Sequence, residues 1–228
     1  MTTFFVTATG TGVGKTHVTV ELIRALHGAG RRVRALKPVA TGFDASRPED
    51  SDSARLLEAL GRPLDEHGLD AVTPWRFSAP LSPDMAAARE GRIVDWRRLL
   101  DLCRAPVGQP AAEVTLIEGI GGVMVPLDER HTVLDWIAAL DDTRVLLVAG
   151  SYLGTLSHTL TAAGMLAARG CRVEGIVVDE SVEQPVPPED TAGTLRRFVS
   201  TVPVVVVPRA ERAAAKADPL LRLLENWL

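Results

Sequence analysis

The residues best suited to chemistry lie near the N-terminus. There Thr7-Ala8-Thr9-Gly10-Thr11-Gly12-Val13-Gly14-Lys15-Thr16 follows the apolar run Phe4-Phe5-Val6 and leads into the helical pattern Val18, Leu22, Ile23, Leu26. This is the pattern of a phosphate-binding loop. A glycine-rich turn aims backbone N–H groups at phosphate oxygens at a helix N-terminus, Lys15 adds a mobile positive charge, and the Thr16 hydroxyl suits Mg²⁺. The register departs from the usual one: glycine is wanted at position 9, where Thr9 stands, or at Ala8 for a loop one residue longer. The chain is expected to handle a nucleoside triphosphate, a ligand-free strand-to-helix turn being the alternative.

Two further segments deliver charge. Leu36-Lys37-Pro38-Val39-Ala40-Thr41-Gly42 ends a strand and places Lys37 on the rim of the phosphate loop. A second cation beside Lys15 suits a substrate that is anionic at its reacting centre, or a phosphoryl group in transfer; the other reading is a solvated lysine at a strand terminus. Val114-Thr115-Leu116-Ile117-Glu118 delivers a carboxylate into the turn Gly119-Ile120-Gly121-Gly122. Mg²⁺ takes one or two carboxylates alongside substrate phosphates, so Glu118 and Asp52 are candidate ligands. Asp52 belongs to Glu49-Asp50-Ser51-Asp52, which also reads as a helix N-cap cluster, and the two roles are compatible.

The elements that must position these groups follow from periodicity. Apolar runs of strand length recur at 3–7, 32–36, 114–117, 144–149, 173–178 and 203–207. Helical patterns cover 14–28, 50–60, 94–104, 132–140, 155–169, 188–200 and 219–227. This alternation predicts an α/β fold of the P-loop NTPase type, a doubly wound, mostly parallel sheet with helices on both faces, as one domain over 1–228. Residues 61–92, with Pro63, Pro74, Pro80 and Pro83, read as a loop excursion that covers either a substrate or only the sheet edge. In the last helix Asp218 reads as the N-cap and Pro219 as the first helical residue. Its stripe of Leu220, Leu223, Leu224 and Trp227 is expected to dock on the body of the protein or on a subunit; a membrane anchor would need a basic face that Arg222 and Glu225 do not make.

Composition narrows the classes. A 228-residue chain with 46% hydrophobic content can bury a substantial core. A net charge of −4 with no long basic run argues against nucleic acid. There is no signal-peptide pattern and no membrane-length apolar run, so the expected location is cytoplasmic. Cys103 and Cys171 have no partners at zinc-ligand spacing and read as small buried hydrophobes.

Taken in order, these motifs resemble the dethiobiotin synthetase family, over most of the chain. The family loop is similar to Gly-Thr-Asp-Thr-x-Val-Gly-Lys-Thr, against Ala8 to Thr16 here. Its Lys-Pro-Val-x-Ser/Thr-Gly matches Lys37 to Gly42, and its Ser-Asp helix start matches Ser51-Asp52. Its Pro-x-Ser-Pro matches Pro80 to Pro83. Its Glu-Gly-Ala-Gly-Gly matches Glu118 to Gly122 apart from Ile120, and its Leu-Gly-x-x-Asn-His resembles Leu153 to His158.

The resemblance implies a C–N bond-forming ligase that takes 7,8-diaminononanoate, carbon dioxide or bicarbonate, and ATP with Mg²⁺. One amine is carboxylated, the carbamate attacks the γ-phosphate, and the second amine closes the cyclic urea on the mixed anhydride. It implies catalytic roles for Thr11, Lys15 and Lys37, with Thr41 also on the substrate. Thr16, Asp52 and Glu118 would surround Mg²⁺. Gly12, Val13, Gly14, Lys15, Thr16, Glu118, Gly119, Gly121, Gly122, Asp179 and Pro208 would contact the nucleotide. It also implies a homodimer in which Gly154, Thr155 and Ser157 hold the distant substrate carboxylate across the subunit boundary.

Of the departures from the family pattern, four bear on ligand contacts or loop geometry. Ala8 replaces a loop glycine and would be strained if the backbone there needed positive φ. Tyr152 stands for a common lysine and Ser157 for asparagine, which alters the carboxylate contact. Asp179 stands where the family presents asparagine to adenine. An ionised aspartate only accepts hydrogen bonds, so a weakened adenine preference with use of GTP or other triphosphates is one reading, and a solvent-facing Asp179 the other.

Two other classes share the fold. Partitioning and septum-positioning ATPases of the ParA and MinD type carry a signature lysine at the position of Gly10, which is absent here. The amidotransferase synthetases of cobalamin biosynthesis share the Glu-Gly-Gly strand end, but normally add a glutaminase domain with a reactive cysteine, which nothing after residue 150 supplies.

Overall fold

A computed structural model describes residues 2–105, 112–208 and 213–224. Six strands, β1 (Thr2–Ala8), β2 (Val33–Leu36), β5 (Val114–Glu118), β6 (Thr143–Gly150), β7 (Arg172–Asp179) and β8 (Val204–Val207), form one sheet in the order β2-β5-β1-β6-β7-β8. Every pairing in it is parallel. Two short strands missed by the sequence pattern, β3 (Val39–Thr41) and β4 (Trp75–Phe77), pair in parallel as a separate ribbon.

The sheet is covered on both sides. Because successive side chains in a strand point to opposite faces, Phe4, Val6 and Ala8 of β1 enter one core while Phe5 enters the other. The first core is closed by α1 (Lys15–Gly28), α2 (Asp52–Ala59), α3 (Glu66–Val72) and α9 (Ala213–Leu224). The second is closed by α4 (Pro83–Arg89), α5 (Trp96–Arg104), α6 (Val133–Ala138), α7 (Thr155–Ala168) and α8 (Pro188–Phe198). Phe5 packs edge-on against the fully buried Trp136 with ring centroids 4.7 Å apart, which fixes α6 under the central strand.

Two sequence expectations are corrected. Residues 61–92 are not a bare loop excursion but contain α3, β4 and α4, because Leu69, Val72, Trp75, Phe77, Ala86 and Ala87 are apolar enough to be buried. The last helix begins at Ala213 rather than at Pro219, so Asp218 does not cap it and Pro219 lies inside it. The run Ala213-Ala214-Ala215-Lys216-Ala217 consists of strong helix formers, and its propensity overrides the proline start signal. The docking expectation holds: Leu220, Leu223 and Leu224 are buried in the core that α1 shares, and Trp227 lies outside the described residues. Among the described residues no helix is long and apolar enough to cross a membrane.

Strand order changes direction at β1, with β5 and β2 to one side and β6, β7 and β8 to the other. In an open parallel sheet the crevice at the carboxyl ends beside such a switch point is the place for a ligand. The segments following β1, β2, β5, β6 and β7 all carry candidate residues, and all emerge on that rim.

Candidate active site

The phosphate loop is built as its glycines require. Gly12 and Gly14 have φ of 73° and 100°, in the left-handed region, and Gly14 caps the N-terminus of α1. Ala8 needs no such freedom. It is the last residue of β1, fully buried, and not among the positive-φ residues, so the strain considered for it does not arise. Lys15 Nζ donates to the carbonyl oxygens of Gly10 at 3.0 Å and Gly121 at 2.8 Å, curling the side chain back over the loop. Burial, with the nearby Lys37 charge, lowers its pKa to about 8.

Beside the loop, the ends of β2 and β5 and the start of α2 converge. Lys37 Nζ donates to Glu118 Oε1 at 2.5 Å and pairs with Asp52 Oδ2 at 3.1 Å. Thr16 Oγ1 donates to the same Glu118 oxygen at 2.7 Å. Burial alone would lower the pKa of Lys37, but the charges of Glu118 and Asp52 outweigh it and raise it. Burial also pushes the Asp52 carboxyl up, and Lys37 more than reverses this. Ser51 caps α2 by accepting from the Ala54 N–H at 3.1 Å, which leaves Asp52 at the helix start facing the cluster.

Glu118 is fully buried and its Oε2 has no hydrogen-bond partner. A buried carboxylate with an oxygen to spare, together with the Thr16 hydroxyl and the Asp52 carboxylate, is an all-oxygen donor set of the kind Mg²⁺ takes, with phosphate and water completing the shell. Among the described residues no group of three or more His, Cys, Asp or Glu side chains forms a metal cage, so a cation here would share its shell with a ligand.

A cavity of about 960 Å³ runs from Gly12 and Lys15 past Lys37 and Asp52 to Thr41, Gly42 and the Pro80–Pro83 turn. Its size suits a nucleotide tail with a small organic substrate. A second hollow of about 630 Å³ lies against Val13, Tyr152, His158 and Asp179. The structure thus brings together Thr11, Gly12, Gly14, Lys15, Thr16, Lys37, Thr41, Asp52, Glu118 and Gly121.

Gly119, Gly122, Gly154, Thr155, Ser157 and Pro208 do not line the larger cavity, whereas Asp179 does. Gly119 and Gly122 pack closely on Phe5 and on the Thr9 carbonyl, where a Cβ would come within 2.8 Å and 3.0 Å. Gly154, Thr155 and Ser157 form the start of α7, on the other side of β1 from Lys37. The Thr155 hydroxyl donates to the Gly150 carbonyl at 2.7 Å and Ser157 is exposed. Pro208 follows β8 on the same rim without lining either cavity. Asp179 is only 6% exposed, which removes the solvent-facing reading, and its partner His17 was not anticipated. Only the position of His17, in the first turn of α1 directly after Thr16, could have signalled it.

Parallel sheet, phosphate loop and carboxylate-lysine cluster define a P-loop NTPase-type α/β protein. A family model described as an AAA domain matches residues 2–217. The MinD cell division ATPase of Pyrococcus furiosus superposes over 100% of both chains with a TM-score of 0.60 at 18% identity, a likeness of fold alone. Among curated proteins, the ATP-dependent dethiobiotin synthetase BioD of Acidiphilium cryptum is 47% identical over 89% of this chain and 91% of its own length. The enzyme of the same name from Phenylobacterium zucineum is 44% identical over 94% of this chain and 92% of its own. This chain belongs to the dethiobiotin synthetase family.

Proposed function

We propose that this chain is an ATP-dependent dethiobiotin synthetase, a ligase that closes a cyclic urea by forming C–N bonds. The reading rests on its relatives' shared name and on one feature of the site: a second buried lysine, Lys37, standing with Glu118 and Asp52 beside the phosphate loop.

In this reading 7,8-diaminononanoate enters the cavity beside Lys37 and Thr41 and takes up carbon dioxide on one amine. Lys37 and Thr11 hold the resulting carbamate, while Lys15 and the loop N–H groups hold the γ-phosphate. The two anions would repel each other, and the paired lysines offset that repulsion. A carbamate oxygen then attacks phosphorus and nucleoside diphosphate leaves; the second amine attacks the carbamoyl carbon and inorganic phosphate departs. Thr16, Asp52 and Glu118 would hold Mg²⁺, whose chemistry is to neutralise charge on the transferring phosphoryl group. No protein nucleophile is required.

The active form is proposed to be a homodimer. The start of α7 lies across β1 from the reacting centre, and Leu153 and Leu156 beside it expose apolar side chains, 86% and 36% accessible. A second copy seated there would cover them and present Gly154, Thr155 and Ser157 to a substrate carboxylate from the neighbouring site. Light scattering of the pure protein checks the stoichiometry.

The deciding experiment is phosphate release from ATP with Mg²⁺ and bicarbonate, with and without 7,8-diaminononanoate, together with the product mass. Release that requires the diamine and yields the cyclic urea is expected. Release indifferent to the diamine would move the chain to the switch ATPases.

A further inference from the structure

The larger cavity has a lining of two kinds: the charged groups Lys15, Lys37 and Asp52, and, from the turn after β5, the apolar side chains Ile120 and Val125. Both apolar side chains are rooted in the second hydrophobic core. Val125 is pinned at both backbone groups, its N–H donating to the Gly122 carbonyl at 3.1 Å and its carbonyl accepting from the Val133 N–H at 3.0 Å. Ile120 is held by its neighbours: the Gly119 N–H donates to the Val6 carbonyl at 2.9 Å, and the Gly121 carbonyl accepts from Lys15 Nζ at 2.8 Å. Gly121 has a φ of 57°, and an ideal Cβ built on it would fall 2.5 Å from Val125 Cγ2 and 3.6 Å from Thr11 Oγ1. A fixed methyl group therefore stands beside the Thr11 hydroxyl, over the residue whose carbonyl holds Lys15.

We infer that Ile120 and Val125 form an apolar shield that keeps water from the mixed anhydride, so that each phosphoryl transfer ends in a C–N bond. The anhydride has two fates. When the second amine attacks its carbonyl carbon, the C–N bond forms, the bond from that carbon to the phosphate oxygen breaks, and phosphate leaves with the proton the amine gives up. When water attacks instead, the anhydride returns carbamate, phosphate and a proton, and a triphosphate is consumed without product. Both attackers are small nucleophiles, and exclusion of water from a closed, apolar site is what prevents hydrolysis of such an intermediate. Ile120 stands where the family pattern has alanine, and it adds a branched hydrocarbon to the lining at that point. Ile120 and Val125 thus act by exclusion rather than by bonding to the reacting atoms.

The inference rests on the synthetase reading of this site. Its test is the ratio of phosphate released to cyclic urea formed, with ATP, Mg²⁺, bicarbonate and 7,8-diaminononanoate, in the wild type, Ile120→Ala, Ile120→Leu and Val125→Thr. The wild type is expected to release about one phosphate per urea, the stoichiometry of a site that excludes water. Ile120→Ala opens the shield, and Val125→Thr keeps its shape but adds a hydroxyl that can hold water; each should raise the ratio about twofold or more. Ile120→Leu conserves hydrocarbon volume and should keep the wild-type ratio. A merely structural role would lower phosphate and urea together and leave their ratio alone. Unmoved ratios in both Ile120→Ala and Val125→Thr overturn the inference, as does a rise in Ile120→Leu as large as in Ile120→Ala. A wild type that forms no urea removes the synthetase reading and the shield with it, whereas a wild type that forms urea beside variants with unmoved ratios removes the shield alone.

Discussion

The ammonium of Lys37 and the carboxylate of Glu118 meet at 2.5 Å with both side chains buried, so each is the other's principal solvation. Removing one partner strands the other. Lys37→Ala is expected to destabilise the nucleotide-free protein by about 3–5 kcal/mol, the usual cost of an uncompensated buried charge. Turnover should fall about 10²–10³-fold or more while triphosphate still binds. Thermal unfolding, nucleotide titration and phosphate release separate the three effects. Unchanged turnover would remove Lys37 from the reaction.

Lys15 has the opposite balance: it is held by two carbonyls, and burial lowers its pKa to about 8. Its positive charge is only partly compensated until an anion arrives. Lys15→Ala should therefore weaken triphosphate binding and turnover together, by about 1.5–3 kcal/mol in binding, the range of a hydrogen bond to a charged group. Unlike Lys37→Ala, it should not lower the stability of the free protein. Calorimetric Kd values beside kcat give the comparison.

Leu220 of α9 is fully buried in the core that α1 also lines. Leu220→Ala should cost about 2–5 kcal/mol through lost transfer energy and a residual cavity. Urea denaturation is expected to show a lower midpoint with KM for the triphosphate unchanged, because Leu220 lines neither cavity.

Cys103, 3% exposed on α5, has its thiol pushed up by burial from 9.0 to about 12. Between those values the unfolded chain has released a proton that the folded chain still holds, so stability falls as pH rises through this window. Cys103→Ala should lessen the alkaline loss seen in pH-dependent unfolding. At pH 8 a disulfide reagent should label Cys103 only after denaturation.

Most of the fold could be read in the sequence, because the six strands of the main sheet are largely apolar runs, the central ones buried on both faces. The ribbon of Val39–Thr41 with Trp75–Phe77 could not, since each strand is three residues long and pairs across more than thirty residues of intervening chain. The cluster of Lys15, Thr16, Lys37, Asp52 and Glu118 was legible because each residue ends or begins an element on the rim. Contact between Asp179 and His17 was not. Nothing in either local pattern specifies a meeting between residues 162 positions apart. Pro219 misled in the opposite way, a correct local signal outweighed by the alanine-rich run before it.

The β3–β4 ribbon also bears on how the site exchanges its ligands. Thr41 pairs in register with Phe77, and both Phe77 and Trp75 are rooted in the second hydrophobic core. The wall facing the phosphate loop is therefore fastened to the interior and cannot swing outward without uncovering two aromatic rings. Ligand traffic in a single subunit must pass by small side-chain adjustments at the mouth rather than by hinge opening. Burying smaller rings at these positions would then be felt as faster escape of bound ligand before it was felt as loss of fold.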